Sequence, residues 1–195
     1  QIWVAEGNYI PSVLGGTCDD CKTFRLLNGV NLYGHFAGFE NGIEQRNLKN
    51  KNIETILKSD DIPTSSIVLA SDLSQRTILD GFTITGYSKG ITIDSSQLTV
   101  QNCLITGNLE YGIDANDSNF TIVDCNVRNN SDGIYTQNSN FTITRCVIHN
   151  NYGSGISILS APAGIKITDS FIYGNANDGV HTDASGLILR NDTIA

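Results

Sequence analysis

The sequence predicts an all-β fold, a parallel β-helix (β-solenoid) with three strands in each coil of about 22 residues. Three observations support this prediction. Similar segments follow one another, their equivalent positions recur with the period of a solenoid coil, and apolar residues alternate with polar ones. A repeat unit this short buries little surface alone, so each coil must stack on its neighbours.

The clearest repeat begins at Leu98. Four segments are nearly alike: LTVQNCLITGN, FTIVDCNVRNN, FTITRCVIHNN and IKITDSFIYGN. Equivalent positions lie 21, 22, 21, 24 and 21 residues apart, at Phe82, Cys103, Cys125, Cys146, Ser170 and Asn191. Alternation as in Phe120-Thr-Ile122 indicates strands rather than helices. We therefore expect one strand around Phe120, a second around Cys125 and a third after the next glycine, with equivalents in each coil.

Two corners of the coil carry recurring residues. Asparagines occupy one corner, at Asn108, Asn130, Asn151 and Asn175. Stacked amides there can hydrogen-bond along a ladder, and Asn tolerates left-handed backbone angles. Glycines occupy the next corner, at Gly90, Gly112, Gly133, Gly155 and Gly179. Glycine at a corner is typical of positive φ.

The five cysteines fall into two groups. Cys103, Cys125 and Cys146 are predicted to form an inward column of small buried side chains, with bridged or metal-binding thiols as the alternatives. Cys18 and Cys21 in the loop TCDDC are expected to form a local disulfide, with reduced thiols or half of a metal site as the alternatives. Because no second CxxC or nearby His accompanies them, we predict no metal site.

Composition indicates one elongated domain over residues 1–195. Irregular coils with loops are expected in residues 1–77 and regular coils in residues 78–195. With 39% apolar residues the chain can bury a core. The net charge of −8 and the pI near 4.6, without a block of Lys or Arg, argue against nucleic acid as a partner. No stretch predicts membrane insertion.

The two ends of the chain suggest partners. Gln1 is not an initiator residue and the chain has no Met, so we expect a processed chain or part of a longer protein. Neither IWVAEG at the start nor LILRNDTIA at the end reads as a polar cap. Identical subunits or neighbouring domains are expected to cover these ends, and head-to-tail stacking of identical subunits would generate filaments.

Four segments resemble a known class: IWVAEGNYIP, TFRLLNGVNLYGHFAGFE, QRNLKNKNIETIL and TILDGFTITG. They are similar to secreted bacterial proteins of the right-handed parallel β-helix class, in the pectate-lyase-like superfamily. The resemblance covers essentially the whole chain and implies a right-handed coil and a secreted or cell-surface location. The superfamily includes polysaccharide-cleaving enzymes, adhesins and many proteins of unknown role, so the fold assigns no activity. His35 stands where similar stretches usually carry a second Gly.

Catalytic or ligand-binding residues are expected on the outward face of the strands that follow the corner glycines. One outward column holds Thr92, Asp114, Tyr135, Ser157 and His181. The next holds Asp94, Asn116, Gln137, Leu159 and Asp183. Catalytic candidates are Asp114, Ser157, His181 and Asp183, and ligand-binding candidates are Thr92, Tyr135 and Gln137. A flat solvated sheet supplies neither a buried orienting acid nor an oxyanion hole, so we interpret the Ser/His/Asp set as ordinary surface residues.

The other enzyme signatures are weak. A glycosidase needs two carboxylates about 5 to 10 Å apart, and Asp132 and Asp178 lie two coils apart, but SDG and NDG are turn sequences. Arg128, Lys166 and Arg190 are scattered and lack acidic neighbours that would bind Ca²⁺. Ca²⁺ is therefore expected only if the chain is an enzyme of the superfamily, and otherwise no cofactor.

One outward stripe is apolar. Leu104, Val147 and Phe171 should point outward beside the cysteine column, where a partner or a loop could cover them.

These observations favour an extracellular structural or adhesive module, which stacks end to end into a fibre or continues within a larger cell-surface protein. One alternative is a polysaccharide lyase or glycoside hydrolase that acts along the face from Thr92 to His181. The other alternative is carbohydrate binding on that face without turnover.

Overall fold

The computed structural model describes residues 1–11, 22–59, 66–86, 88–162, 164–183 and 185–195, which form three parallel sheets. The first sheet contains, in spatial order, β1 (Ile2–Ala5), β4 (Leu32–Phe36), β7 (Thr77–Asp80), β10 (Gln97–Gln101), β13 (Asn119–Val123), β16 (Asn140–Thr144), β19 (Lys166–Thr168) and β22 (Ile188–Arg190). The second contains β2 (Gly7–Tyr9), β5 (Thr55–Lys58), β8 (Thr83–Thr85), β11 (Leu104–Thr106), β14 (Asn126–Arg128), β17 (Val147–His149), β20 (Phe171–Tyr173) and β23 (Thr193–Ile194). The third contains β3 (Phe24–Arg25), β6 (Ser66–Ser71), β9 (Lys89–Asp94), β12 (Tyr111–Asn116), β15 (Asp132–Gln137), β18 (Ile156–Leu159) and β21 (Val180–Thr182).

Successive strands visit the first, second and third sheet in turn, and all strand pairs between neighbours are parallel. The predicted β-solenoid with three strands per coil is confirmed. The predicted register also holds, since Leu98 pairs with Phe120 and Phe120 with Phe141. A 3-10 helix, Ile43–Gln45, lies between β4 and β5.

The core consists of inward columns that run through the stacked coils. The column of the second sheet is formed by Leu57, Ile84, Ile105, Val127, Ile148 and Ile172. All of these side chains are buried. Cys103, Cys125 and Cys146 are buried free thiols, and each Sγ donates a hydrogen bond to main-chain carbonyl oxygens. Stacked coils therefore bury apolar side chains that no single coil could cover.

Each coil turns at residues in the left-handed region. Between the first and second sheets these are Gly81, Asn102, Asp124, Arg145, Asp169 and Asn191. Between the second and third sheets they are Gly107, Asn129, Asn150 and Gly174. Between the third and first sheets they are Asp72, Ser95, Asp117, Asn138 and Ser160. The prediction of left-handed angles at Asn108, Asn130, Asn151 and Asn175 was therefore wrong by one residue, since the preceding residue turns the chain.

The ladder asparagines instead use their side chains. The Nδ2 of Asn108 donates to Oδ1 of Asn130 at 2.9 Å, and the Nδ2 of Asn130 donates to Oδ1 of Asn151 at 3.2 Å. The same oxygens accept main-chain N–H groups of the preceding coil. The corner glycines do not have positive φ, contrary to the prediction. A Cβ on Gly112 would lie 2.5 Å from the Gly133 oxygen, so close approach of the backbone requires glycine.

Residues 37–54, which we call the wall segment, leave the coil after β4 and return to the second sheet at β5. Arg46 anchors this segment. Its Nη2 lies 2.8 Å from Oδ2 of Asp80, and its Nη1 donates to the Gly34 oxygen at 3.0 Å. The guanidinium also lies over the rings of Tyr33 and Phe36. The wall segment is thus held against the outside of the solenoid by a buried contact.

Candidate functional site: a groove on the second sheet

The third sheet places the predicted outward columns in register. Thr92 pairs with Asp114, Asp114 with Tyr135, Tyr135 with Ser157, and Ser157 with His181. The second column runs through Asp94, Asn116, Gln137 and Leu159, and Asp183 follows β21. The register is therefore as the repeat predicted, but Asp114 and Ser157 are buried rather than on a solvated surface.

The side chains of the Ser/His/Asp candidates are not hydrogen-bonded to one another. The Ser157 hydroxyl donates to Oδ2 of Asp132 at 3.2 Å, and Nδ1 of His181 lies 2.9 Å from Oδ2 of Asp178. Asp183 accepts a main-chain N–H from the preceding coil. Each member has a different partner, so the geometry contains no relay from serine through histidine to Asp183.

Asp114 lies in a compact polar cluster that the sequence did not predict. The Nζ of Lys89 lies 2.6 Å from its Oδ2, and Asn116 donates to its Oδ1. The rings of Tyr111 and Tyr135 stack with centroids 4.7 Å apart beside this pair. Burial lowers the pKa of Lys89, but the hydrogen bond and charge of Asp114 outweigh burial and raise it. A lysine held in its charged form is a poor general base.

A groove of about 750 Å³ lies along the outer face of the second sheet. Its floor consists of outward side chains of β11, β14 and β17, namely Leu104, Asn126, Arg128, Val147 and His149. The lining also includes Leu48, Lys51 and Glu54 of the wall segment. On the corner side, between the first and second sheets, it includes Asn102, Asp124 and Arg145. Because these strands are neighbours in the sheet, the groove runs across successive coils.

A smaller space of about 260 Å³ continues the groove toward the first coils. It shares the wall residues and adds His35 and Thr55. The main-chain N–H of His35 donates to Oγ1 of Thr55 at 2.8 Å, and its Nε2 lies 3.0 Å from the oxygen of Asn47. The residue that replaces the usual glycine therefore contacts the wall segment.

The corner side of the groove has an unusual backbone. Thirteen described residues other than glycine have positive φ, and all except His35 and Arg145 are Asn, Asp or Ser. Asn, Asp and His are the residues other than glycine that most often adopt positive φ, so Arg145 is unusual at such a position. The Nε of Arg145 donates a hydrogen bond to Oδ1 of Asp124 at 2.8 Å, and its Nη2 donates to Oδ2 at 2.7 Å. This hydrogen bonding and the charge of Asp124 raise the pKa of Arg145.

The side chain of Arg128 is half-buried in the floor and makes no hydrogen bond or ion pair with the part of the chain that the structure describes. In register, it lies between Thr106 and His149. The His149 ring stacks on Tyr173 with centroids 5.0 Å apart. Burial lowers the pKa of His149, and the charge of Arg128 lowers it further.

Two buried atoms in the floor lack hydrogen-bond partners among the described residues. They are Oδ1 of Asn126 and Nδ1 of His149. Asn126 lies two residues before Arg128 on β14, and His149 lies on the neighbouring strand. Buried polar groups are usually paired, so two such atoms in one floor are candidates for hydrogen bonds to a ligand.

Sequence reasoning found only part of the groove. The apolar stripe was predicted, and Leu104 and Val147 lie half-buried in the floor while Phe171 is exposed. Arg128 and His149 were missed as a pair. Their signal was present, since both stand three residues after a column cysteine in successive coils. The wall segment has no repeat, so its position could not be read from the spacing.

The predictions about a disulfide, a metal site and membrane insertion concern residues outside the groove. Cys18 and Cys21 lie outside the described residues. Among the residues that are described, no three His, Cys, Asp or Glu side chains are grouped to hold a metal ion. In the same part of the chain, no helix has the length and apolarity needed to cross a membrane.

Comparison with known proteins agrees with this architecture. The family model described as "Right handed beta helix region" matches residues 27–140 and 115–195. No curated protein and no solved structure matches the chain. The right-handed β-helix class expected from the sequence is thereby confirmed.

Proposed function

The chain belongs to the right-handed beta helix family, and on that premise we propose that it is a structural module of an extracellular protein whose groove binds a polysaccharide without cleaving it. The main support is the groove of about 750 Å³ across β11, β14 and β17. Strands of one sheet repeat about every 4.8 Å along the solenoid, so a linear polymer can lie across several coils. Solenoids commonly present extended binding surfaces of this kind.

The lining of the groove supports binding of a polar polymer. Leu104 and Val147 contribute apolar surface, while Asn102 and Asn126 contribute amide groups. Sugars present both C–H surfaces and hydroxyl groups, so a mixed lining suits them. Arg46 anchors the wall segment to the solenoid, and a rigid wall lowers the entropy cost of binding.

The carboxylates of the groove support binding over cleavage. Glycoside hydrolysis by the usual route requires two carboxyl groups, one of them protonated. Glu54 and Asp124 are the carboxylates that line the groove. Both oxygens of Asp124 accept hydrogen bonds from Arg145. One of the two carboxylates in the groove is therefore already paired with a cation of the protein, and Glu54 lacks a free carboxylate as its partner.

The proposed structural role includes end-to-end association. Leu189 and Ile194 in the last coil continue the inner columns of Ile167 and Ile172. They are 47% and 42% exposed, and an identical subunit or a neighbouring domain that packs against this coil would bury them. Electron microscopy tests this part: filaments would support stacking of identical subunits, and isolated particles at high concentration would contradict it.

The polysaccharide proposal is tested by affinity electrophoresis in gels that contain neutral, carboxylated or sulfated polysaccharides, followed by an assay for newly formed chain ends. We expect retardation in at least one gel and no new ends. Leu104→Trp should abolish retardation, because the larger side chain fills the floor without adding charge. Thr142→Trp is the matched control on the first sheet and should behave as wild type. Absence of retardation in every gel, or equal retardation of Leu104→Trp, would contradict the proposal.

A further inference from the structure

Arg128 and Arg46 are the two described arginines that are not exposed, and they differ in their partners. Arg46 is paired with Asp80, whereas Arg128 contacts no described acceptor. A partly buried cation has lost part of its hydration, and without a partner nothing compensates that loss. The floor of the groove therefore contains guanidinium donors that a ligand could satisfy.

Charge around Arg128 points to an anion. The groove is lined by the cations Lys51, Arg128 and Arg145 and by the carboxylates Glu54 and Asp124. Arg145 and Asp124 neutralise each other through their two hydrogen bonds. The remaining three charges sum to +1, in a chain whose net charge is −8. The groove thus has an excess of positive charge on an otherwise acidic protein.

The neighbours of Arg128 do not compete for its donors. His149 lies beside it on the neighbouring strand, and burial and the charge of Arg128 both lower the pKa of its ring, which favours the neutral form. Asn126 Oδ1 and His149 Nδ1 are buried and accept no hydrogen bond from Arg128 or from any other described residue. The guanidinium is therefore available to a ligand that enters from the open side of the groove.

We propose that Arg128 binds an anionic substituent of the polysaccharide, a carboxylate or a sulfate ester, and so determines the specificity of the groove. This inference rests on the proposed function. A guanidinium presents parallel N–H donors that match two oxygens of such a group, and charge-assisted bonds of this kind are stronger than neutral ones. Neutral polysaccharides could use the same floor, but they would offer Arg128 only uncharged oxygen acceptors, which bind a guanidinium less strongly.

The test uses three polymers with one backbone: dextran, carboxymethyl dextran and dextran sulfate. Binding of the full chain is measured by calorimetry at moderate salt. We expect one or both charged polymers to bind at least about tenfold more tightly than dextran, since a charge-assisted hydrogen bond contributes on that scale. The comparison between carboxymethyl dextran and dextran sulfate distinguishes the two kinds of anion.

Arg128→Gln is compared with Arg190→Gln, which removes the same charge from an exposed position on the first sheet. We expect Arg128→Gln to lose about tenfold or more in affinity for the charged polymer and Arg190→Gln to change little. Thermal unfolding of both variants checks that the fold is intact.

Each contrary result has a separate meaning. Equal binding of dextran and its charged derivatives would overturn the inference and leave the proposed function standing. Equal losses in Arg128→Gln and Arg190→Gln would also overturn it, because general electrostatics would then explain the preference. Failure of all three polymers to bind, together with failure in the electrophoresis panel, would remove the proposed function as well.

Discussion

Arg46 and Asp80 form an ion pair at 2.8 Å with side chains only 6% and 2% exposed. The pair joins the wall segment to β7, and Asn102 donates to the other oxygen of the same carboxylate. Asp80 therefore connects the wall segment to Asn102, a corner residue that also lines the groove.

Removal of Arg46 should destabilise the protein strongly. Arg46→Met leaves Asp80 as a buried charge without its cation, and such changes cost about 3 to 5 kcal/mol. Urea unfolding measures the loss. Arg145→Met is the control, since the pair of Arg145 with Asp124 is exposed and should contribute little. Similar effects of the two substitutions would show that the wall segment is not held by Asp80.

The asparagine ladder should contribute to stability through hydrogen bonds rather than backbone angles. Asn130→Ala removes the oxygen that accepts the Nδ2 and main-chain N–H of Asn108, so buried donors lose their partner. We expect a loss of about 1 to 3 kcal/mol in the unfolding free energy. Asn140→Ala, at an exposed position of β16, should stay within about 0.5 kcal/mol of wild type. Equal stability of both variants would contradict the role of the ladder.

The repeat made the columns predictable. Leu98, Phe120 and Phe141 share an environment because each coil repeats the last, so spacing alone set their register. The wall segment has no such repeat, and its position depends on a contact between Arg46 and Asp80, 34 residues apart. The cluster of Lys89 with Asp114 was also missed. The contacts between outward side chains of neighbouring coils depend on the rotamer that each side chain adopts. An alternating sequence pattern predicts which face a side chain occupies but not its rotamer.

His149 should titrate below its ordinary range. Burial and the charge of Arg128 both favour the neutral ring, which lowers its pKa in the folded state. The unfolded chain therefore binds more protons as the pH falls below about 6.5, and His149 reduces stability progressively in that direction. NMR titration of the ring measures the pKa directly. A value at or above the ordinary pKa of histidine would contradict the buried setting of this side chain.

Arg128→Gln should raise the pKa of His149 toward its ordinary value without fully restoring it. The substitution removes the repulsion between two cations, but burial, the larger cause, remains. The same NMR titration, performed on the variant, checks this prediction. Arg190→Gln should leave the His149 titration unchanged. A shift of equal size in both variants would indicate a change in overall charge rather than a local contact.

Lys89 and Tyr111 should make the protein sensitive to alkaline pH. The pKa of Lys89 is raised, because its pairing with Asp114 outweighs burial, and the pKa of Tyr111 is raised mainly by burial. For both groups, the stabilisation is complete below the unfolded pKa and is lost as the pH rises through the folded pKa. Chemical unfolding from pH 9 to 11.5 should therefore show falling stability. Asp114→Asn should weaken that dependence, and an unchanged profile would count against the cluster.

The central claim is that ligand binds on the outer face of the second sheet. NMR chemical-shift mapping with a short dextran sulfate fragment tests it most directly. We expect the perturbed amides to lie on β11, β14 and β17 and in the wall segment. Perturbations confined to the third sheet around Tyr111 and Tyr135, or no perturbation at saturating fragment, would contradict the account.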